Sequence, residues 1–265
     1  MKLNYYYTLI TLLVILTSGC QNYYQGGFNG NEFSQMPTPI YKDNTTQRNH
    51  YINAGIAKGI EYYKTERNDV RYISYNYGVG AERITFAIGV KPYIGNYFVN
   101  TFEGELSNLN KKYNYWGVQT QCMFGINIPV SDKFHWRILN WQMSWDFERG
   151  DFYDFRKNMI KLDEELELGL RFVDDFTNIA GHGYSELIFI PSENISIGVL
   201  GGIGTSVKQM NISSFVGGSI EYQRFGIKAT RMFFTPNLAT IVIPIFNDKI
   251  NTENDLWQLA VYYKF

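Results

Sequence analysis

Apolar and polar side chains alternate with a period of two along most of the chain beyond His50. Because successive residues of a β-strand point to opposite faces of a sheet, this alternation predicts strands with one apolar and one polar face. The clearest runs place apolar residues at every second position of 84–90, 118–128, 139–147 and 166–172. The pattern therefore predicts an all-β chain.

Two kinds of connection separate these runs. Short groups of turn formers occur at 78–81, 129–132, 191–194 and 223–226, whereas the polar stretches 91–113, 148–163 and 246–255 are longer. Short turns at one end and long loops at the other are typical of an up-and-down barrel. About 10 to 12 strands of ordinary length are expected. The regular alternation of short and long connections fails between 174 and 194, so at least one strand prediction in that region has to be wrong.

Alternation alone does not distinguish a soluble sheet, with one face in a core, from a membrane barrel, with one face in lipid. Composition favours the barrel, because 17% of the residues are aromatic, including 21 Tyr and 19 Phe, and membrane barrels place aromatic rings at both rims. Beyond the amino terminus, no stretch has the length of a transmembrane helix. We therefore expect an antiparallel up-and-down transmembrane β-barrel.

The carboxyl terminus carries a further signal. Trp257, Leu259, Val261, Tyr263 and Phe265 share one face of a predicted strand that ends the chain. This segment resembles the closing strand of bacterial outer-membrane barrels, in which alternating apolar residues and a terminal aromatic serve the barrel-assembly machinery. The resemblance implies an outer-membrane barrel that is folded by that machinery.

The amino terminus has the pattern of an export signal: a lysine, the apolar run 8–16 and small residues at 17–19 before Cys20. The small residues before Cys20 resemble the lipobox of bacterial lipoproteins. The resemblance implies cleavage before Cys20 and attachment of lipid to its thiol, with involvement of the lipoprotein-export machinery. An uncleaved anchor is the alternative, although the apolar run is too short to cross a bilayer.

Three regions follow from these signals. Residues 1–19 are the predicted lipoprotein signal peptide, 20–49 a lipidated N-terminus and flexible tether, and 50–265 the β-barrel domain. The region 20–49 lacks periodicity and is dense in turn formers, which predicts a tether. Packing of part of it as a plug or cover is the alternative.

Charge, cysteine and histidine content limit the possible chemistry. The formal net charge is −1, so no strong field would attract nucleic acid. Cys20 and Cys122 are the two cysteines, and they cannot form a disulfide once Cys20 carries lipid. The three histidines are too widely spaced in sequence to predict a zinc site. We expect no cofactor and no metal.

The polar faces of the predicted strands would line the barrel interior. Ion pairs between inward carboxylates and cations such as Arg137, Arg171, Lys228 or Arg231 would close a narrow barrel as a packed polar core, whereas the same groups in water would line a small pore. A divalent cation held by the acidic residues between 163 and 175 is a further alternative. The residues expected to face the lumen are Gln119, Gln121, Asn140, Gln142, Asp146, Glu165, Glu167 and Arg171.

Two motifs bear on catalysis or nucleotide binding. The glycine-rich run 198–206 lacks the lysine of a phosphate-binding loop, and a strand whose glycines leave room for large neighbours is the stronger interpretation. His182, Ser185 and Glu186 suggest a lipid hydrolase of the outer membrane. However, residues three apart in a strand face opposite sides, and the spacing departs from the histidine, one residue, serine spacing of lipid A deacylases.

We therefore expect a non-enzymatic outer-membrane lipoprotein with a structural or binding role in the bacterial envelope, in which a rigid barrel presents long loops to a ligand or protein partner. The alternatives are a small channel or transport accessory with a polar lumen, and a lipid-acting hydrolase. The partners implied are outer-membrane lipid and the machineries of barrel assembly and lipoprotein export.

Overall fold

The computed structural model describes residues 33–41, 45–60, 67–100, 102, 104–166, 177–206, 212–235 and 254–265. These residues form ten strands, an α-helix α1 (Asp151–Leu166) and a 3₁₀ helix (Gly104–Leu109). In these ranges neither helix combines the length and the apolar character needed to cross a membrane. The strands are β1 (Gln47–Ile60), β2 (Arg67–Gly80), β3 (Ile84–Phe98), β4 (Lys112–Ser131), β5 (Phe134–Arg149), β6 (Thr177–Ser192), β7 (Ile195–Ser206), β8 (Ile212–Tyr222), β9 (Phe225–Thr235) and β10 (Asn254–Lys264).

Every strand pairs antiparallel with its neighbours in sequence, and β10 pairs with β1 to close the sheet into a barrel. Tyr51 lies opposite Lys264 along this seam, and the backbones of His50 and Phe265 exchange two hydrogen bonds of 3.1 and 3.0 Å. Full closure leaves no unpaired sheet edge. The prediction of an antiparallel up-and-down barrel is confirmed, and the ten described strands agree with the expected number.

The two ends of the barrel differ in the length of their connections. Turns of two or three residues join β2 to β3, β4 to β5, β6 to β7 and β8 to β9, and each overlaps one of the four predicted turns. The connections at the other end span 61–66, 99–111, 150–176, 207–211 and 236–253. We call these the short-turn end and the long-loop end. The start of β1 and Phe265 lie at the short-turn end.

The outward face of the wall is apolar, whereas the inward face is polar and aromatic. On β3, Ile84 and Ile88 are 51% and 46% exposed, but Thr85 and Ala87 beside them are fully buried. An apolar exterior around a closed wall requires contact with lipid, since exposure of so large an apolar surface to water is unfavourable. The barrel therefore spans a membrane. All five tryptophans are among its outward residues: Trp116, Trp136, Trp141, Trp145 and Trp257.

Helix α1 occupies the first two positions of one predicted strand. The alternation at 165–172 predicted a strand, but residues 151–166 are helical, and 167–176 lie outside the described residues. Phe152, Phe155 and Met159 are spaced by three and four positions, which places them on one helix face, and all three are buried. The helix is part of the long connection before β6, and this explains why the predicted order of connections failed near residue 174.

Strand β3 is also longer than predicted, because the loop predicted at 91–113 begins only after Phe98. Pro92, Gly95 and Asn96 fall within this predicted loop, yet all three pair with residues of β4. Gly95 is required there, since a Cβ atom at this position would collide with the ring of Tyr115. The inward face of the barrel therefore extends further toward the long-loop end than the sequence indicated.

Candidate functional site

Residues 33–41 lie inside the barrel, and we call them the plug segment. The side chains of Phe33, Gln35 and Met36 are buried. The sequence predicted a flexible tether for 20–49, with a plug as the alternative, and residues 33–41 follow the alternative. Strand β1 begins at Gln47, inside the predicted tether. Cys20 and the rest of 1–32 lie outside the described residues.

Side chains of the wall bind the backbone of the plug segment. Gln142 on β5 donates a hydrogen bond to the carbonyl oxygen of Ser34 (3.0 Å). Arg137, also on β5, donates to the carbonyl oxygens of Thr38 and Pro39, at 3.2 Å each. An extended segment without strand partners needs such bonds, because a buried carbonyl without a partner is costly. The plug segment is thus a packed part of the structure.

A buried ion pair extends this contact. Arg137 Nη1 lies 2.8 Å from Glu186 Oε2, and Gln35 Nε2 donates to the other carboxylate oxygen at 2.7 Å. Lys228 on β9 donates to the carbonyl oxygen of Gln35. Both oxygens of Glu186 therefore have partners, as a buried carboxylate requires. Gln35 of the plug segment therefore provides the hydrogen bond to one oxygen of Glu186, and Arg137 of the wall provides the ion pair with the other.

Phe33 forms the inner end of the plug segment. Its ring stacks on Phe215 with a centroid distance of 4.0 Å and contacts Tyr184 and His182 at 5.5 and 5.2 Å. Gly204 on β7 makes room for His182, since a Cβ atom there would collide with the imidazole ring. The glycine-rich run is therefore a strand that accommodates large neighbours, as the stronger interpretation of the sequence predicted.

A second layer closes the lumen at the long-loop end, where α1 covers the mouth. The ring of Phe152 packs on Tyr97 and that of Phe155 on Tyr113, both with centroid distances of 4.3 Å. Such pairs contribute about 0.5–1.5 kcal/mol each beyond the burial of their area. The aromatic residues of α1 and those at the long-loop ends of β3 and β4 form this layer together.

An ion pair fixes α1 to the wall. Arg156 Nη2 on the helix lies 2.7 Å from Glu148 Oε1 on β5, and both side chains are fully buried. The guanidinium group also lies over the ring of Phe152, 5.3 Å from its centroid. A buried pair of this kind does not by itself stabilise a fold, but the loss of one partner is costly.

The residues predicted to face the lumen fall into three groups. Those on β4 and β5 are buried inside the wall, where Gln119 donates a hydrogen bond to Asp146. Glu165 was predicted to lie on a strand, but it lies in α1. Glu167 and Arg171 lie outside the described residues. The buried group is Gln119, Gln121, Asn140, Gln142 and Asp146.

Several residues of the lumen were missed because the predicted strands ended too early. Lys91 and Glu148 fall in the predicted loops 91–113 and 148–163, yet both are fully buried on the inward faces of β3 and β5. Extending the alternation through Asp146 would have placed Glu148 inside. Arg156 requires the helical spacing of α1 to be recognised, and nothing in the sequence marks Gln35 as the partner of Glu186.

The gaps beside the plug segment are small. Two gaps beside the plug segment measure about 30 and 10 Å³, which is room for a water molecule or so. A larger hollow of about 160 Å³ lies at the short-turn mouth, between Thr38, Glu193 and Glu221. These two gaps beside the plug segment are therefore too small to hold a hydrated ion.

The structure separates the two side chains that the hydrolase alternative would need together. His182 is fully buried inside the barrel, whereas the Ser185 hydroxyl accepts a hydrogen bond from the exposed Trp136 at 2.8 Å on the outer side. Successive residues of β6 face opposite sides, so residues three apart do not share a face, and His182 cannot activate Ser185. The geometry therefore does not support a hydrolase site built on His182 and Ser185. Within the described ranges, no group of three or more histidine, cysteine or acidic residues is placed to hold a metal ion.

No protein-family model and no curated protein matches the chain. Solved structures with similar folds include Neisserial surface protein A (11% identity, 83% of this chain and 99% of that chain, TM-score 0.34). Others are the β-domain of the Bordetella autotransporter Brka (8%, 82% and 99%, TM-score 0.47) and OprG from Pseudomonas aeruginosa (9%, 82% and 96%, TM-score 0.37). The barrel assignment rests on the strand pairing of this chain and not on these similarities.

Proposed function

We propose that the protein is a lipid-anchored outer-membrane β-barrel with a structural or binding role, whose lumen is closed by its own plug segment and by helix α1. The closure is the observation that carries the proposal. Arg137, Glu186 and Lys228 of the wall bind the plug segment. Glu148 pairs with Arg156 of α1, and the gaps beside the plug segment are small. A packed interior makes the barrel rigid, and the long loops are then the surface available to a ligand or protein partner.

Reconstitution in planar lipid bilayers tests the closure. We expect the wild-type protein to give no conductance steps, because neither closed layer leaves room for a hydrated ion. Insertion is verified in parallel by the change of electrophoretic mobility on boiling, which folded membrane barrels show in detergent. Regular steps of reproducible size from inserted wild-type protein would contradict the proposal and favour a channel.

The second candidate function is a gated channel, and one observation favours it. The closure at the short-turn half is a nine-residue segment, 33–41, and not part of the wall, so it is separable from the barrel. Replacing 33–41 with a Gly-Ser segment of equal length distinguishes the candidates. A permanently closed barrel stays silent, because the aromatic layer under α1 remains, whereas a channel gated by the plug segment conducts.

The lipid anchor is tested by metabolic labelling with an alkynyl fatty acid. We expect the wild-type protein to carry the label and Cys20→Ser to lose it, since the proposed acylation site is the thiol of Cys20. Cys122→Ser is the matched control and should keep the label, because Cys122 belongs to strand β4. Equal labelling of Cys20→Ser and wild-type protein would remove the anchor from the proposal and leave the barrel unaffected.

A further inference from the structure

The plug segment runs in one direction along the barrel. The hydroxyl of Ser34 donates a hydrogen bond to that of Tyr72, near the middle of β2 (3.4 Å). Pro39 lies beside Gly80, the last residue of the same strand, where a Cβ atom would collide with the carbonyl oxygen of Pro39. The chain therefore runs from the middle of the lumen to the short-turn mouth, and its path in the opposite direction leads toward the long-loop end.

Phe33, at the inner end of the plug segment, lies in the long-loop half of the lumen. Its ring stacks on Phe215 of β8, a strand that begins at Ile212 at the long-loop end. It also contacts His182 of β6, which begins at Thr177 at the same end. At about 3.3 Å per strand residue, these contacts lie roughly 10–17 Å from the strand ends. The chain before Phe33 is therefore close to the long-loop mouth.

Wall residues contact the plug segment from most sides of the ring. The contacts come from β2, β3, β4, β5, β6, β8 and β9, through Tyr72, Ala87, Met123, Arg137, Glu186, Phe215 and Lys228. The gaps of about 30 and 10 Å³ beside the segment have room for a water molecule or so. A second pass of the chain through this half of the lumen would displace these contacts, whereas continuation toward the long-loop end keeps them.

Helix α1 covers the same mouth but is attached to other strands. It packs on Tyr97 of β3 and Tyr113 of β4, and its Arg156 pairs with Glu148 of β5. Phe33 packs beside β6 and β8 instead. A chain that continues from Phe33 therefore meets the mouth on a different side from the helix.

We infer that the plug segment threads the chain through the lumen, so that the N-terminus of the exported protein lies on the long-loop side of the membrane. Cys20 is thirteen positions before Phe33, and a chain of this length spans at most about 45 Å. About 17 Å of it reaches the strand ends, and the remainder is long enough to cross the rim of the wall. The inference rests on the proposed function, and it assigns the lipid on Cys20 to the leaflet that adjoins the long loops.

Cysteine accessibility on intact Gram-negative cells tests the inference, with the full chain and a membrane-impermeant maleimide. In a Cys122→Ser background, Gln25→Cys adds one thiol eight positions before Phe33, which is about 26 Å of extended chain and reaches past the strand ends. The references are two exposed residues, Asn108→Cys in the 3₁₀ helix at the long-loop end and Asp132→Cys in the short turn between β4 and β5. We expect Gln25→Cys and Asn108→Cys to be labelled on intact cells, and Asp132→Cys only after the outer membrane is permeabilised.

Two results would overturn the inference. Labelling of Gln25→Cys only after permeabilisation, together with Asp132→Cys, would mean that the chain returns to the short-turn side. No labelling of Gln25→Cys in either condition would mean that residue 25 stays within the packed lumen. Retention of the heat-dependent mobility shift verifies that each variant carries a folded barrel.

Failure of the proposed function gives different results. Labelling of the Cys122→Ser parent on intact cells would report a free Cys20 thiol on the long-loop side, which removes the lipid anchor and keeps the threading. Labelling of Asp132→Cys on intact cells, with Gln25→Cys and Asn108→Cys labelled together only after permeabilisation, would reverse the orientation of the barrel. The threading would stand in that case too, because Gln25→Cys still reacts from the long-loop side.

Discussion

Arginine in place of Val90 is expected to lower the free energy of unfolding by about 2–4 kcal/mol, the cost of a cation near the bilayer midplane on the lipid face of a barrel. Val90 lies near the middle of β3, points outward and is 39% exposed. The measurement is the midpoint of urea unfolding in lipid vesicles, with the folded fraction read from unboiled electrophoretic mobility.

Ile84→Arg is the matched control on the same strand and face. Ile84 begins β3 at the short-turn end, where the cost of arginine falls to about 0–1 kcal/mol. If both variants were equally stable, or if Val90→Arg were soluble without detergent, the apolar exterior would not face lipid and a tethered soluble β-domain would replace the membrane barrel.

Replacement of Arg156 by methionine is expected to release α1 from the barrel mouth. It leaves Glu148 buried without its cation, which costs about 3–5 kcal/mol. Because the helix can open without unfolding the wall, the loss should appear as local opening. We expect cleavage after Lys161 by a lysine-specific protease in the folded barrel to accelerate by at least about 100-fold.

Two comparisons make this result specific to the ion pair. Asn158→Met changes an exposed residue of the same helix and should leave the cleavage rate unchanged. Adding Glu148→Gln to Arg156→Met removes the uncompensated charge and should restore most of the protection. Equal rates for Arg156→Met and Asn158→Met would show that the ion pair does not hold the helix.

The strands that could be predicted are those in which apolar and polar residues alternate regularly. Along 84–90 and 139–147, apolar residues point to lipid and polar residues to the lumen. The local sequence therefore indicates both that the segment is a strand and which face each residue belongs to. The Trp257 to Phe265 face was likewise predictable, and it forms one side of the seam. The turns at the short-turn end followed from their dense turn formers.

What could not be predicted depends on contacts between distant segments. Tyr115 packs where Gly95 leaves space, so a glycine within the predicted loop 91–113 marks a close approach inside a strand. Helix α1 did carry a local signal, the spacing of Phe152, Phe155 and Met159, but the alternation beside it in 165–172 obscured that signal. The bond from Gln35 to Glu186 joins residues with no relation in sequence, and only the closed barrel brings them together.

The plug segment and the seam together impose an order on assembly. The seam joins β1 to the last strand, between residues about 200 positions apart in the chain, and contacts of such long range form slowly. The plug segment comes before β1 and contacts side chains from both halves of the ring, including Tyr72 on β2 and Lys228 on β9. An open sheet can curl around these residues, whereas a finished ring admits them only through a mouth. The segment that fills the barrel is therefore best understood as a template that is enclosed when the last strand arrives.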